Sequence, residues 1–252
     1  MKVVGIIPAR YASTRFPGKP LALIKGKPMI QRVYEQALKS KLDAVVVATD
    51  DVRIADAVMD FGGRYVMTSP NHRSGTDRCC EALGLFEIQY GAVINIQGDE
   101  PFIDPNQIDR VIDLILQENT RLASLAKRIE DEDELFSPNT VKVVMDNEGK
   151  ALYFSRNPIP FMRNLDRGEW LANGVFYKHI GIYAYKSDTL RQIAAMQPTP
   201  LEQAESLEQL RWLENGLSIH MGVTHSENVS IDRPDDIIKA EKFVENQMNI
   251  IR

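Results

Sequence analysis

Short apolar runs alternate with segments of helical period through the first half of the chain. Residues 3–8, 44–49, 65–67, 92–96 and 122–126 read as strands, β-branched and nearly uninterrupted in 44–49 (AVVVAT). Between them lie stretches with the period of amphipathic helices. In 29–39, Ile30, Val33, Tyr34, Ala37 and Leu38 share one face. Further helices are predicted after Asp50-Asp51, stopped by Gly62-Gly63, and over 76–85 and 105–118. Buried strands alternating with helices predict a mostly parallel sheet covered on both faces, an α/β fold.

After about residue 130 the rhythm changes. Residues 141–145, 151–154 and 179–185 read as strands with more exposed alternation, separated by NPIPFMRNLDRGEW. Helices are expected over 187–195 and 202–215, a strand over 219–223, and a last helix from Pro234 to about 247. The expected division is one domain: a part to about 130, a smaller mixed lobe over about 131–225, and the helix 234–247.

Composition narrows the classes. The 252 residues are 44 % hydrophobic and 26 % charged with a net charge of −5, which suits an ordinary globular protein and argues against a nucleic-acid partner. No apolar run approaches the ~18 residues of a membrane span, so no membrane insertion is expected. MKVVGIIPAR does not read as a signal peptide, and the two cysteines, adjacent Cys79 and Cys80, suggest neither a disulfide nor a zinc site. A cytoplasmic location is the expectation.

Three unusual loops, 9–20, 68–76 and 97–105, follow strands, where ligands of open α/β sheets bind. Loop 9–20 (ARYASTRFPGKP) collects Arg10, Arg15 and Lys19. Their mutual repulsion suits a bound polyanion, although a loop with its charges in water would look the same. It is neither a dinucleotide fingerprint nor a Walker A motif. Loop 97–101 (QGDEP) offers Asp99 and Glu100, either as ligands of a hard cation or as a helix cap. SGTDR at 74–78 opens a helix, and Asp232 precedes another with Asp235 and Asp236 nearby; capping is the simpler role for both. His179 and Tyr183 would share one strand face. Two carboxylates beside a polyanion loop suggest metal-assisted phosphoryl or nucleotidyl transfer.

The series PARYASTRFPGKPL, ATDD, SGTDR, NIQGDEPF, YFSRNPIPF, HIGIYAY, ESLEQLRWLE and IDRPDD, in this order between residues 3 and about 240, closely resembles one family. It is that of the 3-deoxy-manno-octulosonate (Kdo) cytidylyltransferases, or CMP-Kdo synthetases. The resemblance implies a Rossmann-like nucleotidyltransferase fold, a homodimer, and a Mg²⁺-dependent reaction of CTP with Kdo that yields CMP-Kdo and pyrophosphate for lipopolysaccharide synthesis. Carried over, it implies that Arg10, Arg15 and Lys19 surround the triphosphate, with Ala9, Ser13, Arg73, Ser74 and Gln97 also at the nucleotide. It implies Asp99 and Asp232 as Mg²⁺ ligands, and Arg156, His179, Tyr183, Glu208 and Gln209, with Gln97, around Kdo. An 8-amino analogue or another ulosonate as acceptor, and more remotely a non-catalytic binding protein, are the alternatives.

Overall fold

The strand Val3–Ala9 (β1) is buried along nearly its whole length, as an apolar run with no polar face must be. It belongs to a computed structural model that describes residues 1–13, 15–226 and 230–250, with side chains as far as 245. The chain divides into two compact units, one made of Met1–Asp109 with the C-terminal stretch, the other of Arg110–Ser226.

In the first unit a two-residue hairpin, Leu23–Ile24 (β2) and Lys27–Pro28 (β3), leads into the helix Met29–Ala37 (α1). Ala44–Thr49 (β4), Val52–Asp60 (α2), Tyr65–Met67 (β5), Gly75–Gly84 (α3) and Ala92–Asn95 (β6) follow. The sheet order is β6-β1-β4-β5, all parallel. The chain runs outward from β1 to β4 and β5, then returns through α3 to β6 on the other side of β1. The order therefore reverses at β1, and a crevice opens beyond the carboxyl ends of β1 and β6. α1 buries Met29, Ile30, Val33, Tyr34 and Ala37, and α2 buries Ile54, Ala55 and Val58, as their 3.6-residue period requires.

The helix Pro105–Ile115 (α4) carries the chain into the second unit. There Leu122–Arg128 (β7), Glu132–Phe136 (α5), Lys142–Met145 (β8), Ala151–Ser155 (β9), Trp170–Asn173 (α6) and Tyr177–Lys186 (β10) precede three helices. These are Ser187–Ala194 (α7), Pro200–Glu205 (α8) and Glu208–Glu214 (α9), and the strand His220–Thr224 (β11) closes the unit. β7 pairs β11 in parallel and β10 antiparallel, while β8 joins β10 to β9. The α/β class with a parallel sheet and a smaller mixed portion is thus the fold observed. Among the described residues no helix is long and apolar enough to cross a membrane.

One expected element is corrected. The single helix over 202–215 is two, α8 and α9, because Ser206 adopts a left-handed conformation (φ 53°) that ends the first. The last helix, Asp236–Ile250 (α10), starts two residues after Pro234. It packs Ala240 and Val244 with Ile231 against Ile24 and Met29, while Glu241 accepts the Lys25 N–H at 3.0 Å. That packing returns the segment around 231 to the first unit.

Candidate active site

The three loops marked in the sequence meet in the first unit around a cavity of about 250 Å³. Ala9, Arg10, Ser13, Arg15, Lys19, Arg73, Ser74, Gln97 and Asp99 all line it. The strand ends approach closely here: a Cβ at Gly98 would lie 3.0 Å from the Pro8 carbonyl oxygen, so a larger residue would need that backbone to give by a few tenths of an ångström.

Lys19 is the centre of the cluster. Its Nζ donates to Asp99 Oδ2 at 2.7 Å and to the Ile231 carbonyl at 2.9 Å, and lies 3.6 Å from Asp232 Oδ1. Arg15 Nη2 reaches the same Asp232 oxygen at 3.1 Å. The backbone delivers Asp232 here, since the Ile231 N–H donates to the Asp99 carbonyl at 2.9 Å and Ile231 is fully buried. Asp232 is not the cap of α10. The carboxylate of Asp236 instead accepts the N–H groups of Asp232 and Arg233, at 3.1 and 3.0 Å, leaving the Asp232 side chain to the site.

The basic loop is held from behind. The Tyr11 carbonyl accepts the N–H groups of Ser13 and Gly18, closing the loop on itself, and the Arg53 guanidinium stacks 3.3 Å from the centre of the Tyr11 ring. Asp51, which caps α2, grips Arg53 through both oxygens at 2.9 and 2.6 Å. Gly18 has φ 71°, and a Cβ there would sit 3.1 Å from the Tyr11 ring. Gly18→Ala is therefore strained twice, and we expect it to cost about 1–3 kcal/mol of stability, seen as a lowered urea midpoint.

At the third loop, Ser74 caps α3 by accepting the Asp77 N–H at 3.1 Å. Ser74 and the first turn of α3 thus bring helix N-terminal donors to the cavity beside the cations Arg10, Arg15, Lys19, Arg73 and Arg78. Such a site suits a polyphosphate. Asp99 and Asp232 meet on one ammonium, so both carboxylates converge on a point that a small cation would share. Among the described residues no cluster of three or more His, Cys, Asp and Glu is placed to hold a metal. Two carboxylates with a polyphosphate supplying the other oxygens is a set that Mg²⁺ accepts, and the residues fit it.

The second unit holds a separate cluster. β10 pairs His179 with Ala126, and then Tyr183 with Ser124, so a bulge at 181–182 shortens the path between the two side chains. Their rings lie 5.2 Å apart on one face, with Phe154 beside His179 and Trp212 beside Tyr183. The bulge takes the Ile182 carbonyl off the ladder, and the Ser124 hydroxyl donates to it at 2.8 Å. With that proton used, Ser124 Oγ accepts from His179 Nε2 at 2.9 Å. Burial holds the His179 pKa down at about 3 and, with the Glu208 charge, raises that of Tyr183.

This neutral imidazole has a consequence for stability. The unfolded imidazole takes its proton near the ordinary 6.5, so below that pH the unfolded chain binds more protons. The contribution is full above pH 6.5 and is lost as pH falls toward 3. We expect it to weaken stability by up to about 1.4 kcal/mol per pH unit below pH 6, and His179→Gln to remove that share. Urea unfolding at pH 7, 6 and 5 checks this.

The remaining expected residues of this unit lie on the helix α9 and on the turn after β9. Arg156 donates through Nε to the Glu205 carbonyl at 2.7 Å, through Nη1 to Pro138 at 3.0 Å and through Nη2 to Ser206 at 3.4 Å. Gln209 is 4 % exposed in α9, one turn from Trp212. Glu208 faces Arg211 at 3.9 Å, while Arg211 is held by both oxygens of Glu202.

A family model described as Cytidylyltransferase matches residues 4–219. A 3-deoxy-manno-octulosonate cytidylyltransferase of Parabacteroides distasonis is 54 % identical over 251 residues, covering 98 % of this chain and 100 % of the relative. The chain belongs to the 3-deoxy-manno-octulosonate cytidylyltransferase family. Another relative of that name, from Cytophaga hutchinsonii, is 55 % identical over 241 residues, 95 % of this chain and 96 % of its own. A solved CMP:2-keto-3-deoxy-manno-octonic acid synthetase complexed with CTP superposes with a TM-score of 0.91 at 41 % identity, covering 98 % of this chain and 100 % of that one.

Sequence reasoning passed over four residues that this member of the family places at or behind the sites. His72 and Arg78 line the cavity, Glu81 stands behind His72, and Ser124 holds His179. His72 stands two residues before the SGTDR motif that contains Arg78, which was the available signal. Nothing in the sequence linked Ser124 to His179, because the bulge that aligns them is a tertiary feature.

Proposed function

We propose that this protein transfers CMP from CTP to the anomeric 2-hydroxyl of Kdo, releasing pyrophosphate and activating the sugar for lipopolysaccharide synthesis. The observation that carries the reading is the convergence of Arg10, Arg15, Lys19, Asp99 and Asp232 at the switch point of the first unit, in a chain of this family. The hydroxyl oxygen attacks the α-phosphorus in line and forms the new P–O bond. The bond from that phosphorus to the β-phosphate oxygen breaks, pyrophosphate leaves and the hydroxyl proton passes to solvent.

Arg10 and Arg15 grip the β- and γ-phosphates through paired N–H groups, and Ser13 and the Ala9 backbone line the same wall. Lys19 places a compact charge where negative charge grows during transfer. Ser74, Arg73 and Gln97 hold the nucleoside end. Asp99 and Asp232 would hold Mg²⁺, which when bound lowers the hydroxyl pKa and offsets charge on the triphosphate. For Kdo, His179, Tyr183, Glu208 and Gln209 supply polar contacts. Arg156 keeps a second N–H on each Nη for the sugar carboxylate. We place the reaction in the cytoplasm and in a homodimer, with the stretch 157–170 at the subunit contact.

Pyrophosphate release tests the reading, with CTP and Mg²⁺ alone and with Kdo, 8-amino-Kdo or a sialic acid. Release with Kdo is expected. Release only with another acid overturns the substrate, and no release from protein that binds CTP overturns the transferase.

A further inference from the structure

The loop from Thr68 to Ser74 brings Arg73 and Ser74 to the cavity, and the helix that follows it reaches back to fasten it. At its start the Thr68 N–H donates to the Thr49 carbonyl at 2.8 Å. Arg78, 3 % exposed, donates to the Thr68 hydroxyl at 2.6 Å and to Asp50 at 2.9 Å. At its end Ser74 is fixed as the cap of α3. Between these points the Ser69 hydroxyl accepts the Asn71 N–H at 3.2 Å, and the side chain that ties the loop to α3 is Glu81. Glu81 Oε2 accepts the Ser69 N–H at 2.8 Å and also meets His72 Nε2. A carboxylate is acceptor-only, so that ring nitrogen carries the proton. Both contacts draw the Glu81 pKa down, His72 more than the Ser69 amide.

We propose that Glu81 is a positioning residue of the nucleotide site, its carboxylate tying Ser69 and His72 so that Arg73 and Ser74 stand ready for the ligand. This rests on the reading that the cavity takes CTP. Glu81 itself does not line the cavity, whereas His72, Arg73 and Ser74 do. A partly exposed His–Glu pair adds little to global stability. Ordering an untied loop costs conformational entropy, and that cost falls on the step that orders it. Here that step is nucleotide binding. The loss on cutting the tie therefore appears in CTP affinity and not in the turnover of the filled enzyme.

The experiment compares wild type with Glu81→Ala, Glu81→Gln and His72→Phe, by steady-state kinetics and by calorimetric titration with CTP. For Glu81→Ala we expect KM and Kd for CTP to rise tenfold or more, about 1.4 kcal/mol. Its kcat and its KM for Kdo are expected to stay within about twofold, a split that a general loss of structure does not produce. Both bonds fall on a single oxygen, so the glutamine oxygen can keep them, and Glu81→Gln is expected within about threefold of wild type. His72→Phe retains the ring and loses the N–H, and it shows the same CTP-specific loss if Glu81→Ala does not fold. Wild-type CTP affinity in Glu81→Ala, or an equal rise in the KM for Kdo, overturns the proposal while the function stands. Failure of the wild type to bind CTP overturns both.

Discussion

Lys19→Met lowers kcat by about 10²–10³-fold, the range for removing one charge donor that acts where negative charge develops. The ammonium is fixed by Asp99 and by the Ile231 carbonyl, at 2.7 and 2.9 Å, so it is in place before any ligand arrives and needs no rearrangement. Methionine keeps the length and apolar body of the side chain and loses only the charge. Without ligand, Asp99 and Asp232 then face each other with no shared cation. Their side chains are 31 % and 44 % exposed, and water screens most of that repulsion. The melting temperature is accordingly expected to move by only a few degrees. Turnover at saturating CTP and Kdo, read beside a thermal melt, separates the two effects. A kcat within threefold of wild type removes Lys19 from the chemistry.

Asp99→Asn is the second large effect, with kcat reduced by about 10²-fold and the Mg²⁺ concentration for half-maximal rate raised by about tenfold. The contacts in this structure predict a folded variant. An amide oxygen still accepts from Lys19, and the link to Ile231 runs through the Asp99 main-chain carbonyl, which the substitution leaves intact. What is lost is one negative charge at the point shared with Asp232. Equal loss at every Mg²⁺ concentration would remove Asp99 from the cation site. Asp232→Asn is expected to resemble it more weakly, since Asp232 is the farther from Lys19 and the more exposed.

The first unit was largely legible because its signals are local. An apolar run buried on both faces gives β1 and β4, and amphipathic periods give α1 and α2 within a few residues of their observed ends. The rule that ligands gather beyond the carboxyl ends of parallel strands was enough to bring loops 9–20, 68–76 and 97–105 together. It did not bring in Asp232. That carboxylate arrives through the pairing of Ile231 with Asp99 and the packing of α10 on the hairpin of β2 and β3, contacts between residues more than 130 positions apart. The sequence marked it as part of a second acidic cluster, and the family resemblance is what set it beside Asp99 as a metal ligand.

The second unit was less legible because its decisive features break regular patterns. A left-handed Ser206 divides a stretch whose composition favours one helix, and a bulge in β10 sets the spacing of His179 and Tyr183. Lys142 shows the same limit. Fully buried, it donates to the carbonyls of Ser137, Thr140 and Arg156, and no sequence pattern separates it from a surface lysine.

A single displacement at the α-phosphorus, with the acceptor hydroxyl as nucleophile and no covalent CMP–protein species, leaves a stereochemical signature. The measurement is the configuration at phosphorus in the CMP–sugar product formed from one diastereomer of α-thio-CTP and Kdo. Inversion is the predicted result, because one in-line attack inverts the centre once. Retention would contradict it, since two successive inversions require a nucleophile from the protein.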